Sequence, residues 1–253
     1  YLLNQNKIGD RYASDIRTNN LFYQMKSISQ TLLYFMQSQD MSGIINKILN
    51  DILLVFGRGR TYIIEYDWES EVQCCTYEVA SDGVSSEKDN LQNLSLNATV
   101  WWTTQLTTFK PIIQRNIDFL PDEASEEKEI LAAQDIKSIM AVPMQYGNKV
   151  WGYMGIDIVD EYRDWSNEDY QWFSVLANVV SICIKMRKSE EEARRKQQSL
   201  EETCTALDYS EKTLRQIYQN IPVGIEVYDK DGYLIELNDR ELDMFGLKSK
   251  ESV

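Results

Sequence analysis

The sequence predicts an α+β fold: an antiparallel sheet bracketed by helices, continued by a long C-terminal helix and a smaller, partial α/β unit. Three observations carry this. Two pairs of β-rich segments each close on a turn: Thr61 to Asp67 with Val72 to Ala80, and Ser138 to Tyr146 with Lys149 to Ile158 around Gly147 and Asn148. Helical patterns flank both pairs. Apolar residues then recur every seventh position (Val179, Met186, Ala193, Leu200, Leu207 and Leu214) with no Gly or Pro before Pro222. That run describes one helix of roughly 50 residues, against an ordinary ~11–12.

In chain order, Leu21, Met25, Ile28, Leu32 and Phe35 alternate spacings of four and three, a helical stripe ending near Gln39. Asp40 or Ser42 can cap a second, largely apolar helix, Gly43 to Phe56, which Gly57 and Gly59 stop. After the first hairpin, Ser81 to Asn97 is a polar loop. Ala98 to Thr107 reads as a short helix carrying Trp101 and Trp102, and Lys110 to Arg115 as a short strand opened by Pro111. Ser125 caps an acidic helix reaching Gln134, and the run from Asp122 to Glu129 reads as a solvated face rather than a metal site.

The long helix starts behind Ser166 and Asp169, a pair resembling a capping box. Along it Glu190/Arg194, Glu191/Arg195 and Glu192/Lys196 are spaced and oriented as ion pairs. The companion heptad positions hold Ser189, Lys196, Thr203 and Ser210, which suits a loose parallel pair of helices and not a strong zipper. Beyond Pro222, Gly224 to Asp229 and Tyr233 to Leu237 form a hairpin, followed by a short helix, Asp239 to Phe245, closed by Gly246. Two strands cannot bury a face by themselves, so this last unit is incomplete.

Composition excludes several functions. The formal charge of −14 argues against nucleic acid and anionic membrane surfaces, which reward clustered Lys and Arg. No apolar run approaches the ~20 residues of a membrane span, and no signal peptide is evident, so the segment is expected to be cytoplasmic. The complete lack of His removes the commonest general base and metal ligand, as well as a phospho-accepting His. Cys74, Cys75, Cys183 and Cys204 have neither disulfide-framework nor zinc-site spacing and read as reduced, half-buried small residues. No catalytic residue and no metal site is therefore expected.

Residues 136–144 (IKSIMAVPM), 150–157 (VWGYMGID) and 164–169 (DWSNED) resemble the closing half of a GAF domain. Residues 221–229 (IPVGIEVYD), with Asp231, Gly232 and Asn238, resemble the opening of a PAS domain. The implied order is an N-terminal amphipathic helix (1–40), a GAF-like domain (41–187), a helical coiled-coil linker (188–217) and a truncated PAS-like portion (218–253). This arrangement is similar to the input half of bacterial sensor histidine kinases, including hybrid two-component regulators, and of some cyclic-dinucleotide enzymes.

The resemblance implies a non-catalytic sensory relay. Its partners would be a second copy in a parallel homodimer, a downstream kinase or other effector in the same polypeptide, and a small-molecule ligand. The coupling face would be Met186, Ala193, Leu200, Leu207 and Leu214. GAF domains often hold a ligand between the sheet and the short helices, a region that here would draw on Tyr77, Trp101, Trp102, Ile117, Phe119, Met140 and Asp157. The same residues also read as plain core or lid. Asp157 is the sharpest of them, because a carboxylate in an apolar strand must find a partner if buried.

The cofactor stays unknown. A bilin attached through a cysteine followed by histidine, or a haem on histidine, is not expected. Asn148, Lys149, Asp160 and Glu161 only partly match a cyclic-nucleotide pattern, with Ile156 where Phe would stand. Two rivals to sensing remain: a ligand-free dimerisation and spacing module, and a thiol-based GAF-fold methionine sulfoxide reductase. An overpacked core favours the spacing module, whereas an enclosed cavity with unpaired polar groups favours sensing.

Overall fold

The computed structural model describes residues 26–246, so Leu21 and Met25 of the leading stripe and the last residues of the PAS-like portion lie outside the described residues. The described chain divides into two units, one ending at Lys188 and the other beginning at Ser189. Among the described residues no helix is long and apolar enough to cross a membrane.

The first unit begins with α1 (26–37) and α2 (Met41–Phe56). Asp40 caps α2: its carboxylate accepts from the Gly43 N–H at 3.0 Å. The α1 stripe differs from the sequence reading. Thr31 and Phe35 are buried and Ile28 half-buried, but Leu32 is exposed, because the packed face runs one position, about 100°, around the helix from it.

The strands are β1 (Gly59–Asp67), β2 (Val72–Ala80), β3 (Leu94–Ser95), β4 (Ile112–Gln114), β5 (Ser138–Tyr146) and β6 (Lys149–Ile158). They form one sheet in the order β3-β2-β1-β6-β5-β4, and every pairing is antiparallel. Between them lie α3 (Val100–Thr107), entered through a 3-10 turn at Leu96–Thr99, and α4 (Ser125–Ala133). Ser125 is the first residue of α4 and not its cap; Ala124 holds the cap position and makes no side-chain capping bond. The long helix is α5 (Asn167–Asn220). Its start is the reciprocal pair read from sequence: Ser166 N–H donates to Asp169 Oδ2 and Asp169 N–H to Ser166 Oγ, both at 3.0 Å.

Strand alternation splits the core in two. Ile63, Met140, Met154 and Ile156 face α2 and the first turns of α5, where Phe173, Leu176 and Ile184 are fully buried. Tyr62, Ile64, Ile139 and Tyr153 face the opposite side, toward α3 and α4. Two glycines let β6 fit its neighbours. A Cβ on Gly155 would lie 2.3 Å from the Tyr62 ring, and one on Gly152 would lie 2.1 Å from the Ile64 carbonyl oxygen. Ser181 ties α5 to the sheet by accepting from Trp151 Nε1 and donating to the Gln145 carbonyl, each at 2.7 Å.

In the second unit, α5 carries no buried residue beyond Ile184, and Leu200, Leu207 and Leu214 are 63%, 67% and 64% exposed. The Glu190/Arg194, Glu191/Arg195 and Glu192/Lys196 spacings do not close as ion pairs. The contacts between side chains four apart that do form here are Lys212 to Asp208 at 2.7 Å, Gln197 to Glu201 and Gln198 to Glu202. Long exposed side chains gain little from pairing in water.

A hairpin of β7 (Glu226–Tyr228) and β8 (Leu234–Leu237) leads into α6 (Asp239–Phe245). Asn238, fully buried, organises this unit. Its Oδ1 accepts from the Ile225 and Glu241 N–H groups, and its Nδ2 donates to the Tyr218 and Val223 carbonyls.

The first unit should be sensitive to the α5 anchor. Phe173 is fully buried against α2 and the sheet, so Phe173→Ala should lower its unfolding free energy by about 3–5 kcal/mol in urea titrations.

Candidate ligand cavity

A cavity of about 50 Å3 lies between the Tyr62 face of the sheet and the α3–α4 pair. The sheet contributes Tyr62, Ile64, Gln73, Tyr153 and Asp157; Thr99 and Trp102 come from the start of α3, and Glu127, Leu131 and Gln134 from α4 and its end. Its wall is aromatic. Tyr153 packs against Tyr62, Tyr66 and Trp102 with centroid separations of 5.9–6.4 Å. Burial holds the Tyr62 and Tyr153 hydroxyls well above the usual phenol range, so both stay neutral.

Asp157 finds its partner across the β1–β6 ladder in Arg60, which sits directly opposite it. Both groups are buried. Arg60 Nε donates to both carboxylate oxygens at 3.1 Å, while its Nη groups donate to the Ser85 carbonyl at 3.2 Å and the Gln134 carbonyl at 2.9 Å. Burial pushes the Asp157 carboxyl up to about 7, against the opposing pull of the guanidinium. Asp157 is thus committed to a structural pair that fastens the loop after β2 and the end of α4 onto the sheet.

Glu127 is only 4% exposed, a correction to the reading of its acidic run as wholly solvated. Its Oε1 accepts from the Trp102 N–H at 3.0 Å. That N–H lies in the first turn of α3, where the N-cap Thr99 makes no side-chain capping bond, so Glu127 supplies the cap from another helix. Gln73 Nε2 donates to Thr99 Oγ1 at 2.8 Å, which leaves Gln73 Oε1 buried without a hydrogen-bond partner among the described residues. The Trp102 indole N–H lies beside the Tyr153 hydroxyl but closes no well-aligned bond.

Of the seven residues read from sequence, the structure brings Trp102 and Asp157 to the cavity. Ile117 is buried in the core of that side and Trp101 half-buried against it, but neither lines the cavity, and Phe119 is 75% exposed. Tyr77 and Met140 pack on the opposite face with α2 and α5. They stand there because alternation sorts residues into two faces without saying which face a lid will cover.

Arg60, Gln73, Glu127, Tyr62 and Tyr153 were not singled out from sequence. Arg60 left a usable signal, since it is a cation in an apolar strand just as Asp157 is an anion in one. Cys75 is buried and its thiol is pushed up to about 12 by desolvation, whereas Cys204 is exposed on α5 and not half-buried.

Comparison with known proteins fits this geometry. A family model described as the GAF domain matches residues 40–184. The "Methanogenesis regulatory histidine kinase FilI" of Methanothrix harundinacea (strain 6Ac) is 29% identical over 147 residues, covering 54% of this chain. The chain matches only 16% of that protein's length. Among solved structures, the phycocyanobilin-bound GAF domain from a cyanobacterial phytochrome superposes with a TM-score of 0.56 at 16% identity, over 66% of this chain and 96% of that one. A far-red absorbing dark state with bound biliverdin IXa gives 0.54 at 17% identity, over 64% and 99%. At these identities the structural matches speak for the fold alone.

Breaking the buried pair should unfasten the lid. Asp157→Ala strands the Arg60 guanidinium in the core and should destabilise the first unit by about 3–5 kcal/mol in urea unfolding. Replacing both residues by apolar ones of similar volume (Arg60→Met with Asp157→Leu) should recover most of that loss.

Proposed function

The chain belongs to the GAF domain family, and from that premise we propose that it is the non-catalytic sensory and signal-relay region of a larger two-component signalling protein. A small molecule enters the cavity under α3 and α4, and the resulting bias travels along α5, paired in parallel with a second copy, to a PAS-like unit and a kinase beyond it. The observation that carries this reading is the cavity bordered by a buried polar atom, Gln73 Oε1, that has no partner among the described residues. Buried polar groups are nearly always paired, and one left open in a cavity marks a place for a guest.

The relay has its own support. Leu200, Leu207 and Leu214 stay exposed at heptad spacing, and such a stripe is stabilised by burial against a partner helix. At the base of the exposed helix, Arg187 donates to the Phe35 and Ser38 carbonyls and to Gln39 Oε1, while Lys188 pairs with Glu65 at 2.8 Å. These clamps join α5 to the end of α1 and to β1, which gives a change near the cavity a rigid route outward. The named kinase relative supports the choice of effector.

The size of the cavity favours one alternative, a ligand-free dimerisation and spacing module, since about 50 Å3 is small for a ligand site. The reductase alternative is opposed by Cys75, whose raised pKa is the reverse of an activated thiolate.

Native mass spectrometry of the purified chain should give a dimer carrying extra small-molecule mass. A dimer of bare chains would move the reading to the spacing module, and a bare monomer would remove the helical relay. Changing Leu200, Leu207 and Leu214 together to Lys should convert dimer to monomer in sedimentation experiments; an unchanged dimer would sink the α5 interface.

A further inference from the structure

The cavity's chemistry narrows its guest, given the reading of it as a ligand site. Its hydrogen-bonding groups fall into those already used and those still open. Arg60, the nearest guanidinium, is spent on Asp157 and on the Ser85 and Gln134 carbonyls. No Lys or Arg is among the described residues that line the cavity, whereas Glu78, Glu127 and Asp157 do. Glu78 is itself engaged by the Glu87 and Lys88 N–H groups and by Ser86 Oγ. The first turn of α3 is the natural seat for an anion, and the Glu127 carboxylate already occupies it.

Among the described residues the open groups at the cavity are the Trp102 indole N–H, which lies beside the Tyr153 hydroxyl, and two acceptors: Gln73 Oε1 has no partner, and Glu127 Oε2 accepts no hydrogen bond. The two side chains converge on one helical turn: Gln73 bonds to Thr99, and Glu127 to the N–H of Trp102, three residues on. An entering anion would meet carboxylates with no free cation. A neutral guest would leave a buried charge unanswered. Around these acceptors stand the rings of Tyr62, Trp102 and Tyr153, surfaces that attract a positive charge and accept its alkyl groups. Some 50 Å3 is room for about four water-sized groups.

We infer that the cavity receives a small primary alkylammonium ion, its N–H groups donating to Gln73 Oε1 and Glu127 Oε2 and its carbon atoms lying on Tyr62, Trp102 and Tyr153. The net charge of −14 adds a long-range attraction for such a cation.

Three probes with four heavy atoms each test this on the whole 15N-labelled chain: isopropylammonium, 2-propanol and acetate, titrated while following the Trp102 indole N–H resonance, assigned through Trp102→Phe. Isopropylammonium should shift that resonance saturably, with the other two silent at equal concentration. Glu127→Gln keeps an oxygen to cap α3 but removes the charge, and should weaken isopropylammonium by about tenfold or more. Gln73→Met, which removes the open acceptor, should weaken it in the same direction. If 2-propanol or acetate binds as tightly, or if both variants bind isopropylammonium like the parent, the cation assignment fails while the ligand cavity stands. If none of the three probes shifts the resonance, the cation assignment falls together with the sensory reading of the cavity.

Discussion

The ion pair between Arg60 and Asp157 is the constraint on which the cavity side of the domain depends. Neither charge would be tolerated alone at the centre of an apolar sheet, and removing one leaves the other desolvated without compensation. The pair closes because β1 and β6 set the residues directly opposite each other. Next to it, Gly59 comes so close to the Asp157 carbonyl that a Cβ there would lie 1.8 Å from the oxygen. With its Nε held by the carboxylate, the guanidinium has two Nη groups left, and these fasten the loop after β2 and the end of α4. The floor of the cavity and the anchoring of its lid are consequences of the same buried charge.

The opposite face works by a different principle. There the contacts between α2, α5 and the sheet are mostly apolar; the Thr61 hydroxyl donates to the Leu49 carbonyl of α2, the Trp151 to Ser181 bond sets how α5 lies on the sheet, and the buried Trp172 indole N–H has no partner among the described residues. Such a face is stiff, because close-packed interiors resist compression. The division suits a sensor: a polar, incompletely satisfied cavity on one side of the sheet, and on the other a stiff helix that continues past the domain.

The elements legible in the sequence were those whose signals are local. Val72–Ala80, Ser138–Tyr146 and Lys149–Ile158 stand where their alternation and turns placed them, and Asp239–Phe245 lies between its Asn238 cap and Gly246. Side-chain roles that need a distant neighbour were not legible. Ser125 has the right residue type for a cap, yet the 3-10 turn at Asp122–Ala124 carries the chain into α4 one residue earlier. Glu127 reads as solvated among its acidic neighbours and becomes buried because the start of α3 offers it a backbone N–H.

The sequence by itself determined that there are two hairpins, helices on either side and a helix of unusual length, since periods of two, 3.6 and seven are properties of consecutive residues. It also determined that Asp157 would need a partner if the fold buried it, because a carboxylate is costly to bury alone. Only the tertiary structure decided that the partner is Arg60, 97 residues away, and that Gln73 and Glu127 line one cavity with Trp102 while Tyr77 and Met140 turn to the other core. Alternation makes two equivalent faces, and which of them becomes the cavity is settled by the helices that pack onto each.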